Sequence, residues 1–328
     1  MTEVSRSINQ HQPEAQFRFF ISNVNSIIGQ ALVEMLRNDN ENDVNPHIIV
    51  GTLNKDDPTP CCRGVKKIID ASDTRTLLRV ILDSDIIIFD VQNTNIDEMM
   101  FSLKALTSLN YTSNKLFILI SSILTWSGTP PKDQDGENLE NVDNMSVTTG
   151  KYSSPNNPEM SSDGTMINSM YSESEYASRK AIPAYQNMKN LENAVLTANK
   201  CKETLRTYVL CSGITYGNGE ESFYKLFDTA YQAKDDLKIF GDGKNIIPMI
   251  HVNDLAVYVK LLVYKRPDDI EYILALDHSK NRSQGALIRA ISSGMGQVPV
   301  RNVSFLDAVF EPDFNLMTMN IPVIPSNL

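Results

Sequence analysis

The chain has 328 residues, of which 41% are hydrophobic and 21% are charged, enough for one large α/β domain or for a domain with a small subdomain. Its net charge of −10 and isoelectric point near 5.0 argue against a nucleic-acid partner, because an acidic surface repels phosphate backbones. No segment reaches the roughly 18 consecutive apolar residues of a membrane span, so a membrane partner is not expected either.

The cysteines and the N-terminal segment indicate the compartment. The four cysteines form neither a Cys-x-x-Cys pair nor a zinc-binding spacing, so we expect reduced thiols and no metal site. They are Cys61, Cys62, Cys201 and Cys211. Residues 1–16 are polar and lack the apolar segment of a signal peptide, which predicts a disordered N-terminal tail and a cytoplasmic protein.

The ordered part of the chain begins with a predicted strand, tight turn and helix. Residues 19–21 are apolar, 22–26 favour a turn, and the next residues follow a helical period. The apolar helix face comprises Ile28, Ala31, Leu32, Met35 and Leu36. A dinucleotide-binding sheet begins with such a unit, in which the pyrophosphate lies against N–H groups at the helix start.

Strands and helices alternate after this unit, which predicts a doubly wound parallel sheet in the α/β class. Strands are expected at 47–52, 65–70, 85–91 and 115–122, and helices around 77–81 and 99–109. The last two strands are nearly continuous apolar runs, as is typical of strands buried on both faces.

The end of the second strand lacks a residue that an NAD site would need. An Asp or Glu at this place holds the ribose hydroxyls of NAD. The sequence has Thr52, Leu53 and Asn54 there instead. Asp56 and Asp57 follow on a proline-containing loop, which we interpret as a solvated turn.

The sequence changes in character between about 130 and 175. This stretch is rich in Asp, Asn, Ser, Pro and Gly and has no apolar period, which predicts a partly disordered loop insertion. Order returns at Tyr176, and we predict one domain over 17–300 and an irregular tail at 301–328. Its later elements are expected at 184–200, 205–210, 223–233, 238–240, 253–264, 270–276 and 284–294.

Four landmarks make residues 17–300 resemble the extended short-chain dehydrogenase/reductase family, of the sugar-nucleotide epimerase and dehydratase type. Residues 22–29 lie over the pattern TGxxGxxG, and Asp70 matches an acidic position near the adenine. Residues 211–217 resemble RPxxxYG, and 241–256 resemble GDGxxxRDFxHVxDxA. The resemblance implies a Rossmann fold with a small C-terminal substrate-type subdomain.

The resemblance also implies positions for the cofactor. They are Ser22, Asn23, Ser26, Gly29 and Asp70. Asn23 and Ser26 replace two of the three glycines, and their side chains would occupy space that the pyrophosphate needs. Asp90, at the end of the fourth strand, would add negative charge. We therefore expect no cofactor, or NAD(P) if the site is functional, and Asp70 is equally explained as a turn or helix-capping residue.

The substrate position is altered as well. In the family an Arg of the fourth landmark clamps the substrate diphosphate, and here that position is Ile247. An aliphatic side chain cannot neutralise phosphate charge. We interpret His251 as a packed residue rather than a base, and Asn253 or Asp254 as the cap of the following helix.

The catalytic set of the family is a Ser or Thr, a Tyr, and a Lys four residues after the Tyr. The Tyr phenolate moves a hydroxyl proton, the Lys ammonium lowers the pKa of the Tyr, and the Ser polarises the substrate oxygen. By resemblance the Ser is Ser122, the last residue of the strand predicted at 115–122.

Two Tyr-x-x-x-Lys matches follow Ser122. They are Tyr176 with Lys180 and Tyr185 with Lys189. We favour Tyr185 and Lys189 because Glu192 and a continuing helix come after them, as in the family. The alternative is that either match is only a surface pair on a helix, since this spacing is common by chance.

Within the family, the runs at 121–126, 209–217 and 241–256 resemble the Rossmann-type amino-terminal domain of a ciliary adenylate kinase. The sequence has no GxxxxGK[ST] phosphate loop, so phosphotransfer is not expected. The resemblance implies a non-catalytic subunit of a ciliary axonemal complex near the radial spokes, with other axonemal proteins as partners. An active NAD(P)-dependent oxidoreductase or epimerase is the alternative, and a nucleotide-sensing module without turnover is a third.

Overall fold

A seven-stranded parallel sheet forms the centre of the fold. The computed structural model describes residues 16–38, 46–55, 59–60, 63–92, 96–132, 170–219, 221–279, 281–311 and 313–328. The sheet contains β1 (Arg18–Ile21), β2 (Ile48–Gly51), β3 (Val65–Ile68), β4 (Ile86–Asp90), β5 (Lys115–Ser122), β6 (Leu205–Ser212) and β10 (Tyr272–Ala275). Their order is β10-β6-β5-β4-β1-β2-β3, and each neighbouring pair is parallel. This order confirms the predicted doubly wound sheet.

Helices cover both faces of the sheet and complete two apolar cores. They are α1 (Ile27–Asn38), α2 (Thr74–Asp83), α3 (Ile96–Ser108), α4 (Gln186–Ala198) and α6 (Val252–Lys265). In β4, Ile86 and Ile88 join the core beneath α1 and α6, whereas Ile87 and Phe89 join the core beneath α2, α3 and α4. The predicted continuous apolar strands therefore arise because alternate side chains enter opposite cores.

Two short parallel strand pairs and four further α-helices lie outside the central sheet and its covering helices. The strands are β7 (Ile214–Tyr216), which pairs with β9 (Met249–His251), and β8 (Leu237–Phe240), which pairs with β11 (Val300–Val303). The helices are α5 (Tyr224–Gln232), α7 (Gln284–Gly294), α8 (Phe305–Ala308) and α9 (Phe314–Met317). This group corresponds to the predicted small C-terminal part.

The segments expected to be irregular differ from expectation where the structure describes them. Residues 133–169 of the predicted insertion, the N-terminal tail through residue 15, Asp56, Asp57, Cys61 and Cys62 lie outside the described residues. Tyr171, within the predicted insertion, is 1% exposed and forms a β-bridge with Val323. Pairing with Tyr171 and burial of Ile321 and Val323 also give the stretch 301–328 more order than its sequence predicts. The division into tails and a central domain stays a prediction.

Membrane-spanning helices and metal-ligand clusters are both absent from the described ranges. No helix there has the length and apolar content needed to cross a bilayer. Those ranges also contain no group of three or more His, Cys, Asp and Glu side chains placed to hold a metal ion. Of the four cysteines, the two that the structure describes, Cys201 and Cys211, are free thiols.

Gly29 allows α1 to pack directly on the turn after β1. A Cβ at this position would lie 2.2 Å from Asn23 O and 2.8 Å from Val24 Cα, closer than a packed structure tolerates. Asn23 itself has a φ of +50°, a left-handed conformation that Asn adopts more readily than most residues. One Asn and one Gly therefore suffice to build this turn.

We expect Gly29→Ala to lower the free energy of unfolding by about 2–3 kcal/mol, because the added Cβ forces the backbone apart. The matched control is Gly294→Ala at the end of α7, where a Cβ would meet no atom within 4 Å. That change should leave stability unchanged or raise it slightly. Urea unfolding followed by circular dichroism measures both, and equal effects at the two positions would contradict the packing role of Gly29.

Candidate functional site

Several backbone N–H groups of the turn between β1 and α1 are bonded within the chain. Ser26 Oγ accepts from Gly29 N at 3.0 Å, and Ser26 O accepts from Gln30 N at 2.8 Å. The hydroxyl of Ser26 thus caps the helix start at which a dinucleotide fold binds pyrophosphate. Ser22 Oγ accepts from Asp90 N at 3.0 Å, so Ser22 joins β1 to β4.

A second set of bonds joins this turn to the end of β2. Asn23 N donates to Thr52 Oγ1 at 3.1 Å. Asn25 Oδ1 accepts from Asn54 N at 2.8 Å, and Asn25 Nδ2 donates to Asn54 O at 2.9 Å. A dinucleotide ribose binds at the end of this strand, where the backbone of Asn54 is already paired with Asn25.

Two cavities lie at the carboxyl edge of the sheet. The smaller, of about 260 Å³, lies beside the turn and the loop after β7 and is lined by Ser26, Tyr216 and Glu221, among others. Its described lining contains no Lys or Arg. The larger, of about 1080 Å³, lies between the ends of β1 to β4 and helices α2 and α3, and is lined by Asn23 and Asp70, among others. The predicted cofactor residues are therefore divided, with Ser26 beside one cavity, Asn23 and Asp70 beside the other.

The larger cavity corrects one expectation. The side chains of Asn23 and Ser26 do not fill the whole crevice at the head of the sheet, since this space remains open. Ser26 instead turns its hydroxyl towards the helix, and Asn23 forms one wall of the cavity. The difference from the family pattern therefore lies in the groups that could bind phosphate rather than in the open volume.

Asp70 acts as a turn residue. Its Oδ1 accepts from Ser72 N at 3.0 Å and from Lys55 Nζ at 3.2 Å. These bonds, the one from Ser72 foremost, lower the pKa of Asp70 to about 2. The cap of α2 is a different residue, Asp73, whose side chain accepts from Thr76 N at 3.1 Å.

Glu98 is the polar residue of the larger cavity that the sequence did not reveal. Its Oε1 is buried and has no hydrogen-bond partner among the described residues. Burial raises the pKa of Glu98 to about 7, and the hydroxyl of Thr52 opposes the shift. Glu98 lies in the first turn of α3, where acidic residues are common for a different reason, the helix dipole. The sequence therefore offered no signal that would single it out.

The three predicted catalytic residues make separate contacts. Ser122 is 2% exposed and caps the 3₁₀ helix Ile123–Trp126, with Oγ accepting from Leu124 N. Tyr185 is the residue before α4, and Lys189 lies in its first turns. Within the described part of the chain, no hydrogen bond links Ser122, Tyr185 and Lys189 to one another.

Lys189 instead binds the backbone of a neighbouring segment. Its Nζ donates to Arg179 O at 2.6 Å. Burial lowers the pKa of Lys189 from its ordinary value, and the positive charge of Arg179 acts in the same direction. Lys189 also lines a cavity of about 250 Å³ together with Tyr171 and Arg179, and Ser122 is not among the lining residues.

The second Tyr-x-x-x-Lys match is structural. Tyr176 lies in the 3₁₀ helix Glu173–Ser178, and its hydroxyl donates to Glu271 Oε1 at 3.0 Å. Its ring stacks on Tyr272 with the centroids 5.0 Å apart. Lys180 is exposed, so this pair does not form a catalytic unit.

A buried ion pair lies between these candidate residues. Arg179 is 2% exposed and Glu192 is 0% exposed, and Arg179 Nε lies 2.8 Å from Glu192 Oε2. Glu192 Oε1 accepts from Ser121 Oγ at 2.6 Å and from Thr125 Oγ1 at 3.1 Å. Burial raises the pKa of Glu192, while the guanidinium and the two hydroxyls favour its ionised form.

The other side of the guanidinium is also occupied. Arg179 Nη1 donates to Tyr176 O at 2.5 Å, and Nη2 donates to Asn193 Oδ1 at 2.8 Å. The guanidinium carbon lies 5.0 Å from the centroid of the Tyr272 ring. Arg179 therefore connects the 3₁₀ helix Glu173–Ser178, α4 and β10.

Ile247 and His251 of the fourth landmark both have structural roles. Ile247 is 0% exposed, and its N–H donates to Arg282 O at 3.0 Å, so it cannot contact a bound diphosphate. His251 Nδ1 accepts from Asn253 N at 3.2 Å, which makes His251 the cap of α6. The prediction that Asn253 or Asp254 forms this cap is wrong. The His251 ring lies edge-on to Tyr216, and in this position its Nδ1 accepts from the first turn of α6.

Taken together, these residues do not fit the pyrophosphate of NAD(P). The hydroxyl of Ser26 accepts from the N–H of Gly29 at the helix start. The smaller cavity beside it is lined by the carboxyl group of Glu221 and by no described Lys or Arg. A doubly charged group buried there would lose hydration without compensating charge. The adenine side of the cleft keeps its volume but not the ribose-binding acid.

Comparison with known proteins confirms the expected resemblance to an adenylate kinase. No protein-family model matches the chain. Adenylate kinase 7 of Mus musculus is 26% identical over 238 residues, which cover 71% of this chain and 33% of that protein. The chain therefore spans about a third of the length of this mouse protein.

Solved structures of epimerases share the fold. UDP-N-acetylglucosamine 4-epimerase from Bacillus cereus has a TM-score of 0.63 at 11% identity, covering 95% of this chain and 91% of that one. UDP-glucose 4-epimerase from Thermotoga maritima has 0.62 at 13% identity, covering 94% and 90%. Human epimerase family protein SDR39U1, solved with NADPH, has 0.58 at 16% identity, covering 94% and 91%. The chain thus has the fold of the extended short-chain dehydrogenases/reductases.

Breaking the buried ion pair should be costly. We expect Glu192→Leu or Arg179→Met alone to destabilise the protein by about 3–5 kcal/mol, because each leaves a buried charge without its partner. The double variant should lose clearly less than the sum of the two. Asp70→Asn is the control, since the pair of Asp70 with Lys55 is exposed and should contribute little. Urea unfolding measures all four, and additive losses would contradict the coupling.

Glu98 should make stability depend on pH. Its folded pKa of about 7 lies above the ordinary value of 4.5, so the folded protein keeps a proton that the unfolded chain releases between these values. Stability therefore falls as pH rises through this window and stays reduced above it. Glu98→Gln should raise the Tm at pH 8 and leave it unchanged at pH 4. Thermal unfolding at both pH values measures this, and an equal shift at both would contradict it.

Proposed function

We propose that this chain is a non-catalytic protein with the extended short-chain dehydrogenase/reductase fold that serves as a structural subunit of a ciliary axonemal complex associated with the radial spokes. The observation that carries the first part is the bond from Lys189 Nζ to Arg179 O at 2.6 Å. In a working site this ammonium lowers the pKa of the catalytic Tyr and holds the cofactor ribose. Here it stabilises a neighbouring backbone segment.

Lys189 is bonded to an acceptor that is itself held in place. Its acceptor belongs to Arg179, and Arg179 is held by Glu192, Asn193 and the backbone of Tyr176. Displacing Arg179 from these partners would leave a buried charge unpaired, which costs about 3–5 kcal/mol. The carbonyl group that accepts from the half-buried Lys189 is therefore fixed in place.

The phosphate-binding side supports the same proposal. Ser26 caps α1 with its own hydroxyl, and Ile247 lies in the core at the family's diphosphate-clamping position. A protein that needs neither coenzyme phosphate nor substrate phosphate can make these replacements without loss. The fold then provides a rigid surface.

The ciliary part of the proposal rests on similarity. The chain is similar to adenylate kinase 7 over 71% of its length, and its resemblance to that protein's Rossmann-type region implies an axonemal location and axonemal protein partners. Its acidic charge favours protein partners over nucleic acid. A membrane partner and kinase activity are not part of the proposal.

The open cavity favours one other candidate function. A volume of about 1080 Å³ beside Asp70 is large enough for a nucleoside, which would make the chain a nucleotide sensor without turnover. An active oxidoreductase or epimerase would need Ser122, Tyr185 and Lys189 to rearrange around a bound cofactor. NAD(P) would be the cofactor in both cases.

Titration with NAD⁺, NADH, NADP⁺ and NADPH should leave the Tm unchanged. A ligand at about 100 times its Kd would stabilise the protein by about 2.7 kcal/mol, which a thermal-shift measurement detects readily. Ser26→Gly is the matched variant, because it frees the Gly29 N–H; a rise in Tm confined to this variant would assign the loss to the capping hydroxyl. A rise in the unaltered protein would favour the sensor, and a substrate-dependent change in nicotinamide absorbance would establish an oxidoreductase.

Isolation of the native protein from detached cilia checks the assembly role separately. We expect it to remain with the axoneme after membrane extraction and to co-purify with other axonemal proteins. Recovery only as a single species in the cell-body cytoplasm would contradict the ciliary proposal, whatever the result with nucleotides.

A further inference from the structure

The larger cavity has apolar walls that continue onto the surface. Leu53, Ile68 and Phe101 line it and are 38%, 37% and 37% exposed. Large apolar side chains grouped in this way on a water-exposed surface mark a site of interaction. We call the cavity and these three residues the β3–α3 groove.

The groove is acidic as well as apolar. Asp70, Asp97 and Glu98 contribute carboxyl groups, and the single ammonium among its described lining residues, Lys55, lies 3.2 Å from Asp70 Oδ1. Glu98 Oε1 is buried and has no hydrogen-bond partner among the described residues. A buried oxygen without a donor is costly, so a ligand that brings a donor to it gains binding energy.

These properties select among possible occupants. A nucleotide would bring phosphate towards carboxyl groups, and a small apolar molecule would leave Glu98 Oε1 without a donor. A cationic side chain would supply a donor to this oxygen and match the charge of the groove. Leu53, Ile68 and Phe101 are partly exposed at the rim, which favours an occupant that covers the rim as well as entering the cavity.

We propose that the β3–α3 groove docks a segment of a partner protein that presents an Arg or Lys side chain to Glu98 and apolar neighbours to Leu53 and Phe101. This inference rests on the proposed function, since it names the surface through which the structural subunit binds. The cation enters between α3 and the turn at Asp70, and the apolar neighbours cover the exposed rim. Specificity comes from Glu98, and contact area comes from the rim.

Selection from a phage-displayed library of random linear peptides tests the groove without knowledge of the partner. Peptides enriched on the immobilised wild-type chain should carry Arg or Lys beside apolar residues. A synthetic copy of the most enriched peptide should bind at least about tenfold more weakly to Glu98→Gln and to Phe101→Ser. Its counterpart with citrulline in place of Arg should lose a similar factor, because citrulline keeps the shape and removes the charge.

The matched control is Leu306→Ser on α8, at a side chain that is 86% exposed and outside the groove. This variant should bind the peptide like the wild type. Binding that depends on Leu306 and not on Glu98 would place docking on α8 and overturn the inference. Enriched peptides without basic residues, or displacement of the peptide by NAD⁺, would also overturn it. Thermal unfolding of each variant shows that any loss of binding occurs in folded protein.

The outcomes separate this inference from the proposed function. If NAD⁺ does not change the Tm and the peptide binds Glu98→Gln as tightly as the wild type, the groove proposal alone fails. If NAD⁺ raises the Tm of the wild-type chain, the proposal of a purely structural subunit fails in favour of a nucleotide sensor, whether or not a peptide binds.

Discussion

The ion pair between Arg179 and Glu192 is the constraint on which the region of the candidate active site depends. It joins α4 to β5 through Ser121, to the following 3₁₀ helix through Thr125, and to β10 through the ring of Tyr272. Two buried charges are tolerated only when their hydrogen-bonding groups are satisfied. The backbone on both sides is consequently fixed, and with it the carbonyl group that holds Lys189.

The first turn shows the same principle with neutral groups. In a dinucleotide-binding fold, groups at the start of the first helix and at the end of the second strand bind the ligand. Here Ser26 and Asn25 satisfy such groups from within the chain. A charged cofactor that used the Gly29 N–H or the backbone of Asn54 would have to displace these bonds. At the turn and at Lys189 alike, groups at the family's ligand-binding positions are bonded within the chain.

Period and composition were enough to predict the layered architecture. The alternation of elements, the fully buried β4 and β5, and the bounds of α7 arise from apolar patterns that the structure confirms. The sequence did not predict contacts between distant segments, such as the bridge of Tyr171 with Val323 or the cap that His251 provides. Nor did it reveal Glu98, because an acid in the first turn of a helix looks the same whether its oxygen is solvated or buried. Burial is a property of the packed chain, and the pattern of residue types alone does not contain it.

The two altered regions share no residue, and this separation has a consequence for function. The Arg179 network lies on the β5, β6 and β10 side of the sheet, whereas the β3–α3 groove lies on the β1 to β4 side. Sites without common partners contribute independently to stability and binding. A loss of chemistry on the catalytic side would therefore leave the groove unaffected. Because Asp70, Asp97 and Glu98 line the groove, its open volume favours a cation over a phosphate group.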